Sequence, residues 1–216
     1  MESNAFIAEL EAFKAERLAP LTAAGRTSLA CDAPGDPKHL LQVALANEIN
    51  VSELAASWMP TTAELDVKLA FARQAGDEAG HFQLVADRLT VLGFDVASFR
   101  ASDNPMFQYL RGFATTVERI AAGLFTLESI AYAVNESFMA FCAQRGDDET
   151  VRIYREYIQP DELAHQQLGQ RLLAKYATTP DLQQIARETV AKLLEIAGAT
   201  RGAAAARMGT ACFPGC

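Results

Sequence analysis

Apolar residues recur at intervals of three and four along almost the whole chain, and no stretch alternates residue by residue with the β-branched bias of a strand. The pattern predicts an all-α protein. A first helix is expected from Ser3 to about Leu18, followed by a loop from Ala19 to Pro37 rich in Gly, Pro and Asp. Asp36-Pro37 opens a second helix, which carries Leu41, Leu45, Glu48, Ser52 and Ala55 on one stripe and stops at Met59-Pro60. A third helix should run from about Ala63 to Leu92, ended by Gly93. Beyond the loop around Asp103-Asn104-Pro105, a long helix is expected from Met106 to Gln144, broken by Gly146-Asp147-Asp148. The next reaches Tyr176, with a kink expected at Pro160. A last helix follows Thr178-Thr179-Pro180 and ends near Ala206, before a tail of Gly, Pro and Cys.

Four of these helices are long, and their links are short, long and short. Short links join antiparallel neighbours and a long one suits a crossover, so residues 36–176 read as a four-helix bundle. Residues 1–35 add an N-terminal helix and loop, and 177–216 a C-terminal helix and tail. With 216 residues, one domain with a sizeable core accommodates all three parts.

One motif interrupts the apolar stripes twice. GDEAGHFQLV at residues 76–85 and PDELAHQQLG at 160–169 share Asp-Glu-x-x-His-x-Gln-Leu, and the chain has only three histidines. On a helix, positions three apart share a face, so Glu78 with His81 and Glu162 with His165 can each aim two ligand atoms at one point. Bundle sites for a pair of metals need two such motifs plus a Glu from each partner helix. Glu78 lies 18 residues beyond Pro60, which places its level partner in the low to middle forties; Glu48 is the nearest acid, and Glu53, the other acid on that helix, sits closer to the turn and ranks below it. Glu162 lies 16 residues beyond Gly146, which predicts a partner near 130, and Glu128 stands there inside the apolar run LFTLESIAYAV. A bare carboxylate in such a run is costly to bury unless it is neutralised or metal-bound. Four carboxylates would balance two divalent ions, and oxygen-rich ligands with imidazole suit iron or manganese better than zinc or copper.

In order along four helices, Glu48, Glu78-x-x-His81, Glu128 and Glu162-x-x-His165 resemble the ligand set of the ferritin-like di-iron carboxylate superfamily. The resemblance covers about residues 36–176. It implies a ferritin-like four-helix bundle with added terminal helices, holding two iron ions or a manganese–iron pair, with dioxygen as co-substrate. Asp77 and Asp161, each preceding a motif Glu, are similar to the Asp-Glu-x-x-His motifs of bacterial di-iron monooxygenases. There the Asp accepts from the ligand histidine's other ring nitrogen, which needs an oriented acceptor. DEAGH is also similar to the catalytic subunit of phenylacetyl-CoA epoxidase. The implied activity is oxidation or oxygenation of a small organic substrate by a di-iron oxidoreductase fed by an electron-transfer reductase. The alternative is an iron-binding ferroxidase or peroxide-detoxifying protein without an organic substrate. Val85 occupies the position where a ribonucleotide reductase small subunit carries its radical tyrosine, which argues against a tyrosyl-radical role.

The remaining chemistry is thinner. Tyr132, one turn beyond Glu128, is a candidate for hydrogen bonding at the site or relaying an electron, against a plain core role. Phe71, Phe82, Phe125 and Phe138 are candidates for an apolar pocket, against ordinary core, and His39 reads as a surface residue. Pro-Gly in CFPGC could turn Cys212 back on Cys216 as a redox pair, against a frayed tail. A net charge of −8 with no Lys/Arg run excludes nucleic acid and anionic membrane as main partners. No long uncharged apolar window and no leader pattern are visible, and four scattered cysteines fit a reducing compartment. A cytoplasmic protein is expected, pairing as a homodimer through an exposed bundle face.

Overall fold

The computed structural model describes residues 2–26, 35–101 and 105–215, and among them every regular element is helical. Helix α1 spans Ser3–Arg26, α2 Pro37–Trp58 and α3 Leu65–Val91. A 3-10 turn, Val96–Ser98, and a short helix α4, Pro105–Arg111, lead across to the second half. Helix α5 joins Thr116–Ile120, a π-helical segment Ala121–Leu127 and Glu128–Ala143 without a break. Helix α6 likewise joins Asp148–Ile153, a π-helical segment Tyr154–Ile158 and Gln159–Tyr176. Helix α7 is Pro180–Met208.

Local signals set most boundaries. Asp36 accepts from the Lys38 amide at 2.9 Å and Pro37 sits in the first turn, as a helix start requires. Both α3 and α5 end in the same way. Gly93 and Gly146 take left-handed backbone, and the following residue, Phe94 or Asp147, donates its amide back to Leu89 or Cys142. Asp147 then caps α6 by accepting from the Thr150 amide at 3.0 Å.

Three expectations change. The first helix continues through Pro20 to Arg26, because Leu18 and Leu21 still pack against the core. The third long helix begins at Thr116, ten residues later than the apolar period implies. Thr115 and Glu118 cap each other there, with the Glu118 amide on Thr115 Oγ1 and the Thr115 amide on Glu118 Oε2. Where a kink was expected at Pro160, the helix carries a π segment just before the proline. Pro160 has no amide to donate and its ring crowds the carbonyl one turn back, and a widened turn relieves that crowding.

Helices α2 and α3 lie against each other along most of their length, α6 packs on α5, and α3 meets α6. Helix α1 covers α5 and α6 from outside, and α7 packs on α5, α1 and α4. The buried apolar residues form two clusters, one at each end of the long helices. One contains Val51, Trp58, Phe71, Phe125 and Leu173, and the other Leu41, Leu45, Leu89, Phe138 and Tyr154. Between them lies a layer of buried carboxylates and histidines. Among the described residues, no helix is long and apolar enough to cross a membrane.

The tail beyond α7 is packed rather than frayed. Gly209 ends α7 in left-handed backbone, and Cys212 and Phe213 then enter the second apolar cluster. Gly215 donates its amide to Asn135 at 2.9 Å, and a Cβ there would stand 2.4 Å from Ala131 Cα, so only glycine permits this approach. Cys216 lies outside the described residues, and with it the proposed Cys212–Cys216 pairing.

Candidate metal centre

All four predicted carboxylates, Glu48, Glu78, Glu128 and Glu162, are fully buried, and His81 and His165 nearly so. Each comes from a different helix or motif, and they meet because antiparallel partners joined by short turns present equal levels to the same interior. Glu48, Glu78, His81 and Glu162 offer ligand atoms within 4.8 Å of one another, and so do Glu78, Glu128, Glu162 and His165. The two quartets share Glu78 and Glu162, so these two carboxylates lie between an outer pair, Glu48 with His81, and another, Glu128 with His165.

Both imidazoles present the same nitrogen to the interior. His81 Nδ1 is 3.3 Å from Glu78 and 3.5 Å from Glu48, while its Nε2 faces Asp161 at 3.2 Å. His165 Nδ1 is 3.4 Å from Glu78 and 3.7 Å from Glu128, while its Nε2 faces Asp77 at 2.9 Å. The two aspartates therefore do sit against the histidines, but crosswise: each motif's Asp accepts from the other motif's imidazole. An Nε2–H donated outward to Asp leaves the Nδ1 lone pair directed inward, the tautomer a metal ligand requires.

Electrostatics of the layer follow from burial and crowding. Burial, with Glu78 and the other carboxylates adding repulsion, lifts Glu48 to about 8 and holds Glu162 well above the usual carboxylate range. Burial would also raise Glu78, but the two histidines beside it outweigh that and hold it below its ordinary value. Burial lowers the histidines' affinity for protons, yet the facing carboxylates overcome it: His81 is raised to about 12 by Glu48 and Glu78, His165 to about 11 by Glu128 and Glu78. Among the protein's own groups, protons are thus the counter-charge for the buried carboxylates.

The layer also carries unmet valence. Among the described residues, neither oxygen of Glu48 or of Glu162 receives a hydrogen bond, nor does one oxygen each of Glu78 and Glu128. So many orphaned carboxylate oxygens between two apolar layers is costly for a site meant to hold only protein groups. The donor set, carboxylate oxygen with imidazole nitrogen in two overlapping quartets, fits a pair of divalent ions of the iron or manganese kind.

Three supporting residues escaped the sequence pattern. Gln74, buried one turn before Glu78, donates its side-chain amide to Glu128 Oε1 and so fixes that carboxylate across the interior. Lys14 of α1 is 2% exposed; its ammonium bonds Ser129 Oγ at 2.7 Å, Glu11 at 2.9 Å and the Phe125 carbonyl at 3.3 Å, and burial lowers its pKa. Its signal was visible in the i, i+4 stripe Phe6, Leu10, Lys14, where a lysine takes a core position. The π segment Ala121–Leu127 ends at Glu128, whose amide bonds back five residues to Gly123, and such widened turns concentrate at functional sites. Gly169, one turn beyond His165, abuts this segment: a Cβ there would come within 2.7 Å of Leu124 C and Phe125 N.

Other candidates do not join the layer. Tyr132 is half-buried and, among the described residues, its hydroxyl makes no hydrogen bond to the cluster; its carbonyl accepts from Gln159. Phe71, Phe125 and Phe138 are fully buried core residues and Phe82 packs at the edge of one cluster, so all four contribute to the apolar clusters.

A family model described as "Protein of unknown function (DUF455)" matches residues 39–204. That span contains all six metal-candidate residues, both aspartates and Gln74, while Lys14 and the packed tail fall outside it. No curated protein and no solved structure matches the chain.

Proposed function

We propose that this chain, which belongs to the DUF455 family of proteins of unknown function, is a di-iron carboxylate oxidoreductase of ferritin-like architecture that uses dioxygen on a small organic substrate. The observation that carries the reading is the pair of overlapping quartets sharing Glu78 and Glu162. When bound, two irons would supply the redox equivalents and open positions for dioxygen chemistry.

The chain's own part follows from its residues. Glu78 and Glu162 hold the centre of the layer, and His81 with Glu48 and His165 with Glu128 hold its two ends. Asp161 and Asp77 keep the imidazole protons on Nε2, outside the layer. Gln74 restrains Glu128, and the apolar clusters at either end exclude water, so that charge inside the layer is weakly screened.

Anaerobic addition of Fe(II) to metal-free protein, followed by removal of excess and metal analysis, tests the reading. Two irons per chain are expected, with loss of at least one in Glu128→Ala; fewer than about one per chain, or an unchanged count in the variant, would overturn it. Oxygen uptake that depends on an added organic substrate separates an oxidase or oxygenase from a ferroxidase, which would consume Fe(II) and dioxygen alone.

A further inference from the structure

Helix α1 turns Phe6, Leu10 and Leu18 into the core at intervals of four, and the place left between Leu10 and Leu18 on that stripe is taken by Lys14, 2% exposed. A leucine or methionine would fill the position without losing hydration. An ammonium is held there only where acceptors replace the water it gives up. Three acceptors meet its three N–H groups. Lys14 Nζ donates to Ser129 Oγ at 2.7 Å, to Glu11 Oε1 at 2.9 Å and to the Phe125 carbonyl at 3.3 Å, and it lies 3.7 Å from the centre of the Phe125 ring.

Two of those acceptors belong to the turn that carries Glu128. The π-helical segment Ala121–Leu127 shifts the Glu128 amide onto the Gly123 carbonyl, and side-chain hydroxyls supplement the widened ladder. Thr126 donates to the Ala121 carbonyl and Ser129 to the Phe125 carbonyl, each at 2.6 Å. By holding Phe125 and Ser129 together, Lys14 grips α5 on both sides of Glu128. Glu11 extends the grip to α6, where Gln170, next to Gly169, donates to Glu11 Oε1 at 2.6 Å. The opposite end of the layer is built differently. Around Glu48, α2 is a regular α-helix, and among the described residues neither Glu48 oxygen accepts a hydrogen bond, whereas Glu128 accepts one from Gln74.

From this geometry we infer that Lys14 is a positioning residue of the metal centre: by pinning the widened turn from α1, it fixes the Glu128 end of the layer and leaves the Glu48 end unbraced. The inference rests on the proposed function for its metal, and on α1 and α5 alone for the brace. A charge acting only through space would have the opposite effect, because an ammonium repels a nearby cation and its removal would tighten binding.

Lys14→Met tests it, since methionine keeps the apolar stem while Ser129 retains the Phe125 carbonyl and Glu11 retains Gln170. Hydrogen exchange in the chelator-treated full-length protein should show the amides of Phe125 to Ser129 exchanging roughly tenfold faster in the variant, with those of α2 unchanged. Cobalt(II) titration, followed by visible absorption, should show two steps in the wild type. Lys14→Met should weaken by roughly tenfold the step that Glu128→Ala abolishes, and should move the step that Glu48→Ala abolishes by less than about threefold. Ser129→Ala should weaken the same step, and the double variant no further, because both act through one link. Equal weakening of both steps would mark a merely structural lysine; that result, tighter binding, or exchange and cobalt steps both unchanged would overturn the positioning role. Faster exchange in Lys14→Met with no cobalt taken up by the wild type would sink the metal centre and leave the brace standing. Two cobalt steps that ignore Lys14→Met would do the reverse.

Discussion

Loading the metal-free protein with Fe(II) at pH 7 should expel three to four protons per chain. His81 and His165, held at about 12 and about 11, are protonated at that pH, and Glu48, raised to about 8, is mostly so. Metal ligation needs neutral imidazole and ionised carboxylate, so all three must let go. Glu162, raised well above its ordinary range, adds up to a fourth, whereas Glu78, lowered, adds none. With about three protons displaced, the overall constant for binding two ions should rise on the order of a thousandfold for each pH unit near neutrality. Anaerobic titration in lightly buffered solution with a pH indicator, alongside iron analysis, counts the protons directly. One proton or fewer released while two irons bind, or a pH-independent affinity, would refute the picture of a layer held together by protons until metal replaces them.

Three further outcomes follow from the same geometry. The metal-free fold should lose stability as pH rises from about 5 to about 8.5, because Glu48, Glu162 and both histidines bind protons more tightly folded than unfolded. Thermal melts at pH 6 and pH 8.5 should place the metal-free Tm higher at pH 6, and a rise with pH would contradict the assignment. Asp161→Asn and Asp77→Asn should each weaken iron binding by about 10- to 100-fold through the crosswise histidine, with little change in urea midpoint, since both aspartates are partly exposed. Gly169→Ala should destabilise the fold by about 1–3 kcal/mol in urea denaturation, because its Cβ would press on the backbone of the π segment, and it should weaken iron binding as well. Retention of wild-type stability in that variant would show that α6 can move away from α5 without cost.

How far the site could be read in advance depended on what kind of contact was involved. Glu48 and Glu128 were found by counting back across turns, which works because short links force antiparallel helices to present equal levels and rise per residue is constant. The same arithmetic cannot tell which Asp faces which His. The crossing of Asp77 to His165 and Asp161 to His81 depends on the rotation of α3 against α6. Gln74 and Lys14 were missed for a related reason: one supports a carboxylate on another helix and the other belongs to a helix outside the bundle. The start of α5 at Thr116 was readable in the Thr115-x-x-Glu118 capping box, but the apolar period ran through it and hid the break.

By itself, then, the sequence determined the helical class and the level of each metal-candidate residue, since both follow from periodicity and chain length along single helices. Tertiary structure alone decided the sharing of Glu78 and Glu162 between two quartets, the crosswise aspartates, the π-helical widening beside Glu128 and the packing of the tail against α5. Each of these is a relation between helices distant in sequence, set by how closely their backbones approach. That approach is fixed by packing around single small residues such as Gly169 and Gly215, which no one-dimensional pattern records.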